Sequence, residues 1–310
     1  MGEETFDVVG LGELIWDLFP EGRRLGGAPT NFAYVAGLLG GRSCVASRVG
    51  RDELGREAVE RLERAGVSTD YIQTDDGHPT GTVGVSVDAR GEALFKVNPN
   101  SAWDYLEWSD DWRGLAARAD AVCFGTLGQR HPQARATILR FLSQMRPGAL
   151  RVFDVNLRHS FFDAEMLAAS LRLASVVKLS AEELPRIRAL LRVEALGDEV
   201  ASARDLVRAF GLELVAVTRG ARGSLLVTED ETDEHPGLRV RVVDTVGAGD
   251  AFAAALVHKR LRGTSLTETN EAANRVGAWV ASRAGATPEQ ATPGELRDLI
   301  NQDSGRRERT

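Results

Sequence analysis

Short runs of β-branched and other apolar residues alternate along the chain with longer segments whose apolar positions recur every three or four residues. That alternation is the mark of a parallel sheet covered by helices. Residues 6–11 are predicted as the first strand. Residues 29–39 follow as a helix with Pro29 in its first turn, Phe32, Val35, Ala36 and Leu39 on one face, and Gly40-Gly41 as its stop. A strand over 43–49 comes next, then a helix with Leu54, Ala58, Leu62 and Ala65 as its inner stripe, ended by Gly66. Strands near 120–125, 151–155, 175–179 and 213–218, each beside an amphipathic helix, extend the pattern. The expected architecture is a doubly wound, mainly parallel sheet covered by helices.

Two stretches break this rhythm. Residues 82–87 and 93–97 read as strands joined by a turn at Asp88-Ala89-Arg90-Gly91, with no helix beside them, and 13–25 is also strand-like and helix-free. Together they make a small β element over 13–25 and 79–103, set apart from a main domain of 1–12, 26–78 and 104–310. Such an element is either an edge hairpin or a lid over a pocket. A last hairpin is expected from 223–228 and 239–243, then helices over 249–262 and 267–283, and a polar, frayed tail from Asp303.

Composition narrows the function classes. The 310 residues carry 38 Lys+Arg against 45 Asp+Glu, a net charge of −7, with no long basic run. Nucleic-acid binding, which needs concentrated positive charge, is not expected. No apolar stretch reaches the length of a membrane span, and Glu3 and Glu4 precede only a short apolar run, so neither a span nor a secretory signal is expected. Cys44 and Cys123 lie far apart inside predicted strands, which argues against a disulfide framework and for a reducing cytoplasm. The five histidines show no metal-ligand spacing. Gly10-Leu11-Gly12 lacks the third glycine of a dinucleotide fingerprint, and neither a P-loop nor a nucleophile elbow is present.

The stretch most informative about chemistry is Val243-Asp244-Thr245-Val246-Gly247-Ala248-Gly249-Asp250-Ala251-Phe252, where a strand is predicted to give way to a helix. Small residues there let an anion approach the free N–H groups of the helix N-terminus. An aspartate at that place repels a phosphate unless it takes a proton from a nucleophile attacking it. The plainer alternative makes Asp250 a first-turn aspartate favoured by the dipole and the glycines a tight turn.

The segment from Asp244 to Asp250 resembles the C-terminal signature of the ribokinase-like (PfkB) carbohydrate kinases. Gly26-Gly27-Ala28-Pro29-Thr30-Asn31-Phe32-Ala33, running on to Leu39-Gly40, resembles their N-terminal signature. The resemblance extends from Gly10 to about Pro288. It implies a ribokinase-like fold, a three-layer αβα domain with a small β-sheet lid, and ATP-dependent phosphorylation of a sugar hydroxyl. Asp250 is then the catalytic base, and the amides of Gly247, Ala248 and Gly249 form the anion hole. Gly12-Glu13 followed by Asp17 looks like the family's sugar-binding segment, with Asp17, Gly26, Gly27 and Asn31 on the sugar. By itself Asp17 also reads as a solvated turn residue.

Asp154-Val155-Asn156-Leu157-Arg158 resembles the family's Asp-x-Asn-x-Arg segment, which puts Asn156 near Mg²⁺ through water and gives Arg158 to a phosphate or a sugar acid. Lys178-Leu179-Ser180-Ala181-Glu182-Glu183 resembles its Asn-x-x-Glu segment, which implies Lys178 and Ser180, the latter in place of asparagine, beside the nucleotide and Glu183 organising Mg²⁺ through water. Ser180 and Glu183 also read as a helix capping box. Thr218, Gly220 and Gly223 fall at the family's nucleotide turn and Asn274 in its adenine pocket. A K⁺ ion is implied near Asp244 and Val246, and a homodimer through the lid edges. Among the subfamilies the resemblance is nearest to fructokinases, ahead of 2-keto-3-deoxygluconate kinases, for which Arg158 or Arg90 would meet the carboxylate, and of ribokinases. A catalytically silent sugar-binding relative is the alternative from another class. Trp103 and Trp108 are either sugar-stacking or core residues.

Overall fold

Neighbouring residues of each central strand send side chains to opposite faces, and here both faces are apolar. Val8, Ala121, Cys123, Val176 and Leu214 enter one core, while Val9, Val122, Phe124, Val177 and Val215 enter another. A sheet apolar on both sides must be covered on both sides, which dictates three layers. The computed structural model describes residues 4–20, 22–87, 93–193, 197–288 and 291–301.

The chain begins with β1 (Asp7–Leu11), β2 (Ile15–Phe19), β3 (Gly22–Gly26) and α1 (Ala28–Leu38). It continues through β4 (Arg42–Gly50), α2 (Glu53–Arg64), β5 (Ile72–Asp75), β6 (Gly81–Val87) and β7 (Ala93–Val97). The αβ alternation then runs through α3 (Asp110–Arg118), β8 (Ala121–Gly125), α4 (Pro132–Gln144), β9 (Leu150–Asp154), α5 (Ala164–Leu173) and β10 (Val176–Ser180). Next come α6 (Glu183–Leu191), α7 (Glu199–Phe210), β11 (Leu214–Thr218), β12 (Ser224–Val227) and β13 (Thr232–His235). The last described elements are α8 (Ala248–Leu261), α9 (Leu266–Ala281) and α10 (Pro293–Asn301).

The large sheet has the order β13-β12-β11-β10-β9-β8-β1-β4-β5, parallel except at β12 and β13. From β1 the chain goes to β4 on one side and returns to β8 on the other, so the topological switch point lies at β1. Ligands of such sheets bind beyond the C-terminal ends of the strands at that point. Helices α1, α2, α8, α9 and α10 cover one face and α3–α7 the other. Side-chain caps fix several helix starts, with Asp52, Ser109, Asp163 and Asp198 each accepting an N–H three residues on.

The helix-free stretches form a separate four-stranded sheet of order β3-β2-β6-β7. It meets the main body through a cluster of Ile15, Val83, Trp103 and Leu127. Trp103 is wholly buried there under the Arg130 guanidinium, and Trp108 packs edge-on against Phe141, so both tryptophans are packing residues. The turn at 88–91, with Arg90, and the tail from Asp303 lie outside the described residues.

The expected last hairpin needs correction. β12 matches 223–228, but its partner is Thr232–His235, and 239–243 is not a strand. Arg239-Val240-Arg241-Val242 alternates like a half-buried strand, yet Val240 and Val242 stand 42% and 58% exposed. β13 reads Thr-Asp-Glu-His, an edge strand without an apolar pattern. Cys44 and Cys123 are both free and buried, and among the described residues no helix is long and apolar enough to cross a membrane.

Candidate active site

Two cavities open beyond the C-terminal ends of the parallel strands, and one loop walls both. The first, about 660 Å³, is lined by Asp17 from β2, Gly27 and Asn31 at the start of α1, Asn156 and Arg158 after β9, Lys178 on β10, and Val246, Gly247, Gly249 and Asp250. The second, about 530 Å³, is lined by Thr218 at the end of β11 and Gly220 and Gly223 after it, by Val240 and Val242, by Ala248, Gly249 and Phe252, and by Asn274 and Gly277 on α9. Thr245 and Gly249 belong to both.

That loop becomes α8 at Gly247, whose φ of 78° is left-handed. A side chain there would also strike Ala286. The helix N-terminus thus lies at the loop the two cavities share, where the dipole favours an anion, although the Ala248 N–H donates to Thr245 O at 3.3 Å. Asp250 lies in this first turn, buried, with Asn31 Nδ2 donating to its Oδ2 at 2.8 Å. Burial pushes the Asp250 carboxyl above the ordinary range, while Lys178, Asn31 and Arg158 pull it back.

Lys178 Nζ donates to both oxygens of Asp154 at 3.0 Å. Burial alone would discharge this lysine, but Asp154 and Asp250 hold it above its usual value and it keeps its proton. Burial drives Asp154 up to about 6 against the pull of Lys178. A Cβ on Gly249 would come within 2.7 Å of Lys178 Nζ, so glycine leaves room for the ammonium beneath the loop. Lys178 lines the first cavity, whereas the sequence grouped it with the nucleotide residues.

Asp17 lies opposite Arg24 in the β2–β3 pair, and a Cβ on Gly26 would stand 2.8 Å from its Oδ2. Gly26 thus backs Asp17 without lining the cavity. Burial lifts Asp17 to about 6, with Arg158 opposing and Asp244 reinforcing the rise. Asn31 faces Asp250 as well as the cavity, and its Oδ1 has no hydrogen-bond partner among the described residues.

Ser180, Glu183 and Asp244 line neither cavity. Glu183 accepts from the N–H of Ser180 at 2.8 Å and of Leu157 at 2.6 Å, and Ser180 Oγ accepts from the Glu183 N–H. These are the reciprocal bonds of a capping box, but they close the turn before α6, whose N-cap is Glu182, and Glu183 also pins the loop carrying Asn156 and Arg158. Asp244 Oδ2 accepts from Arg24 at 2.9 Å and from the Gly285 N–H, and its Oδ1 accepts from the Val246 N–H. Among the described residues no cluster of three or more His, Cys, Asp or Glu side chains is placed to hold a metal ion.

In the second cavity a Cβ on Gly223 would collide with the backbone at His235 and Gly237, and one on Gly277 would meet Ala248 O at 3.2 Å. Asn274 Nδ2 donates to Ser224 Oγ at 2.7 Å and to Asn270 O at 2.8 Å, within a buried network. Sequence reasoning missed Arg24 reaching Asp244 and the closure of Asp154 onto Lys178. Both are contacts between elements distant in the chain, without a local signal.

The chain is similar to known proteins over most of its length. Residues 19–293 match the pfkB family carbohydrate kinase description. A fructokinase from Salmonella typhimurium is 32% identical over 294 residues, spanning 89% of this chain and 93% of the relative. The structure of a fructokinase with bound ATP from Xylella fastidiosa superposes with a TM-score of 0.81 at 26% identity, covering 95% of this chain and 98% of that one. An aminoimidazole riboside kinase from Salmonella enterica, complexed with aminoimidazole riboside and an ATP analogue, superposes at 0.78 with 25% identity over 95% and 99%. The fold is the ribokinase-like three-layer arrangement with its separate small sheet, and the chain belongs to the pfkB family of carbohydrate kinases.

Proposed function

We propose that this kinase transfers the γ-phosphoryl group of ATP to a hydroxyl of fructose, with the sugar in the first cavity and the nucleotide in the second. The observation that carries this reading is the shared loop, which sets the Asp250 carboxylate and the free N–H groups of the α8 N-terminus where the two cavities meet. Asp250 takes the proton of the attacking hydroxyl, and Asn31 orients it. The amides of Gly247, Ala248 and Gly249, with the Lys178 ammonium below them, hold the charge that develops on the phosphoryl group. Asp17 accepts hydrogen bonds from sugar hydroxyls. The small sheet closes over them as a lid, with 13–25 and 79–103 as its span. Fructose is chosen because the Salmonella typhimurium relative and the Xylella fastidiosa neighbour are both named fructokinase.

Mg²⁺ neutralises phosphate charge when bound, and Asn156 and Glu183 would hold it through water. Glu183 fits only that outer role, since both its oxygens already accept backbone N–H groups. A K⁺ ion near Asp244 and Val246 would rest on main-chain carbonyls, because Arg24, Val246 and Gly285 occupy the Asp244 carboxylate.

The aminoimidazole riboside kinase favours a nucleoside acceptor as the second reading. ADP release with Mg²⁺-ATP, with and without K⁺, against fructose, 2-keto-3-deoxygluconate, ribose and a riboside tests both. Preference for fructose supports the proposal, preference for the riboside moves the acceptor, and sugar binding without turnover makes the chain a silent relative.

A further inference from the structure

Glu13 follows β1 at the centre of the sheet and lies on the wall of the first cavity, only 2% exposed. Its Oε2 has no hydrogen-bond partner among the described residues. A Cβ on Gly128 would stand 3.1 Å from that oxygen, so the glycine leaves it clear. A buried carboxylate with a bare oxygen is costly when ionised. Protonation relieves that cost, and so does a hydrogen bond from a bound molecule.

The charged and titratable groups around it are Asp250 from α8, Arg158 after β9, Asp17 on β2, Lys178 on β10, Cys123 on β8 and His159. Burial and the charge of Asp250 lift the Glu13 carboxyl to about 7, against the backbone N–H groups of Glu13 and Ala28 and against Arg158. Just below pH 7 the side chain is therefore largely a neutral acid that can donate, whereas a carboxylate in its ionised form, as Asp17 is above pH 6, can only accept.

We propose that Glu13 is a substrate-binding residue whose neutral carboxyl donates a hydrogen bond to a sugar oxygen that carries no proton, a ring or keto oxygen, beside the hydroxyls taken by Asp17 and Asp250. This deepens the sugar-kinase reading and rests on it. It makes acceptor affinity depend on the protonation of a residue that takes no part in the proton transfer.

Glu13→Gln keeps a donor of the same shape that cannot ionise, and Glu13→Ala removes the donor. Sugar and ATP KM values are measured from pH 6 to 8.5 for the wild type and both variants. Sugar binding is followed in parallel by the thermal shift that the sugar produces. The wild-type sugar KM should rise above pH 7, and that of the Gln variant should stay within about threefold of the wild-type value at pH 6 and show no rise above pH 7. The Ala variant should bind sugar about tenfold more weakly with ATP KM unchanged. A Gln variant whose sugar KM rises with pH as the wild type's does, or an Ala variant with unchanged sugar affinity, overturns the assignment. If the Ala variant does not fold, the Gln profile decides alone. Sugar-induced stabilisation without ADP release would defeat the kinase reading while the thermal shifts still judge Glu13; no stabilisation by any sugar defeats both.

Discussion

The first cavity gathers Asp17, Asp250, Arg158 and Lys178 around a space of about 660 Å³, more than a small sugar fills. The second offers Leu238, Val240, Val242 and Phe252, with Asn274 as its buried amide. Three of those apolar residues, Leu238, Val240 and Val242, are more than a third exposed, as suits a surface that a flat heteroaromatic base would cover. The carboxylates on the other side match a ligand studded with hydroxyls. On the proposed function one cavity recognises by charge and hydrogen bonds and the other by apolar contact, and they share the loop from Thr245 to Gly249. Perturbations of the first should therefore act on chemistry and pH dependence, and those of the second on nucleotide affinity and stability.

The largest effect is expected at the junction itself. Asp250→Asn is nearly isosteric and keeps a partner for Asn31, but it cannot accept a proton. It should lower kcat by about 10²–10⁴ with little change in either KM. Near-normal turnover in steady-state assays would remove Asp250 from the role of base.

The pH dependence separates the cavities next. Asp250 must be ionised to act, and burial raises its pKa. The acid limb of kcat/KM should therefore appear above the ordinary carboxylate range near 4, falling about tenfold per pH unit below that pKa. KM for ATP should change far less. Stability runs in the opposite direction: Asp17 goes from 3.8 to about 6 on folding, so its contribution is full below 3.8 and lost as pH rises through 6. Chemical denaturation across that window, compared with Asp17→Ala, isolates it; equal slopes for the two proteins would refute the shift. In the same variant calorimetric titration should show sugar binding about tenfold weaker and ATP binding unchanged.

How far the sequence disclosed this site depended on whether the signal was local. The helices and strands of the αβα body follow from apolar periodicity, and both signature segments are contiguous, so Gly247–Asp250 and Gly26–Asn31 could be found before any coordinates. β13 escaped because an edge strand of Thr, Asp, Glu and His has no apolar face, and Val240 and Val242 imitated it because a binding wall can alternate as a strand does. The Asp154–Lys178 pair joins neighbouring strands whose adjacency only the sheet order supplies. Arg24 meets Asp244 across the gap between the two sheets, 220 residues apart in the chain.

The smallest effect is expected in the second cavity. Asn274 lines it, but its Nδ2 is committed to Ser224 and Asn270, and Asn270 Nδ2 in turn donates to Asp233 on β13. Asn274→Ala leaves those buried groups short of a partner, at a cost of about 1–3 kcal/mol, while removing little surface from the nucleotide. Thermal denaturation should therefore register the change more clearly than KM for ATP, which should rise by no more than about fivefold, roughly 1 kcal/mol. Asp17→Ala should do the opposite, weakening the ligand without weakening the fold. A large loss of ATP affinity in Asn274→Ala at unchanged stability would show that the second cavity also recognises through a polar group, and the contrast between the two cavities would fail.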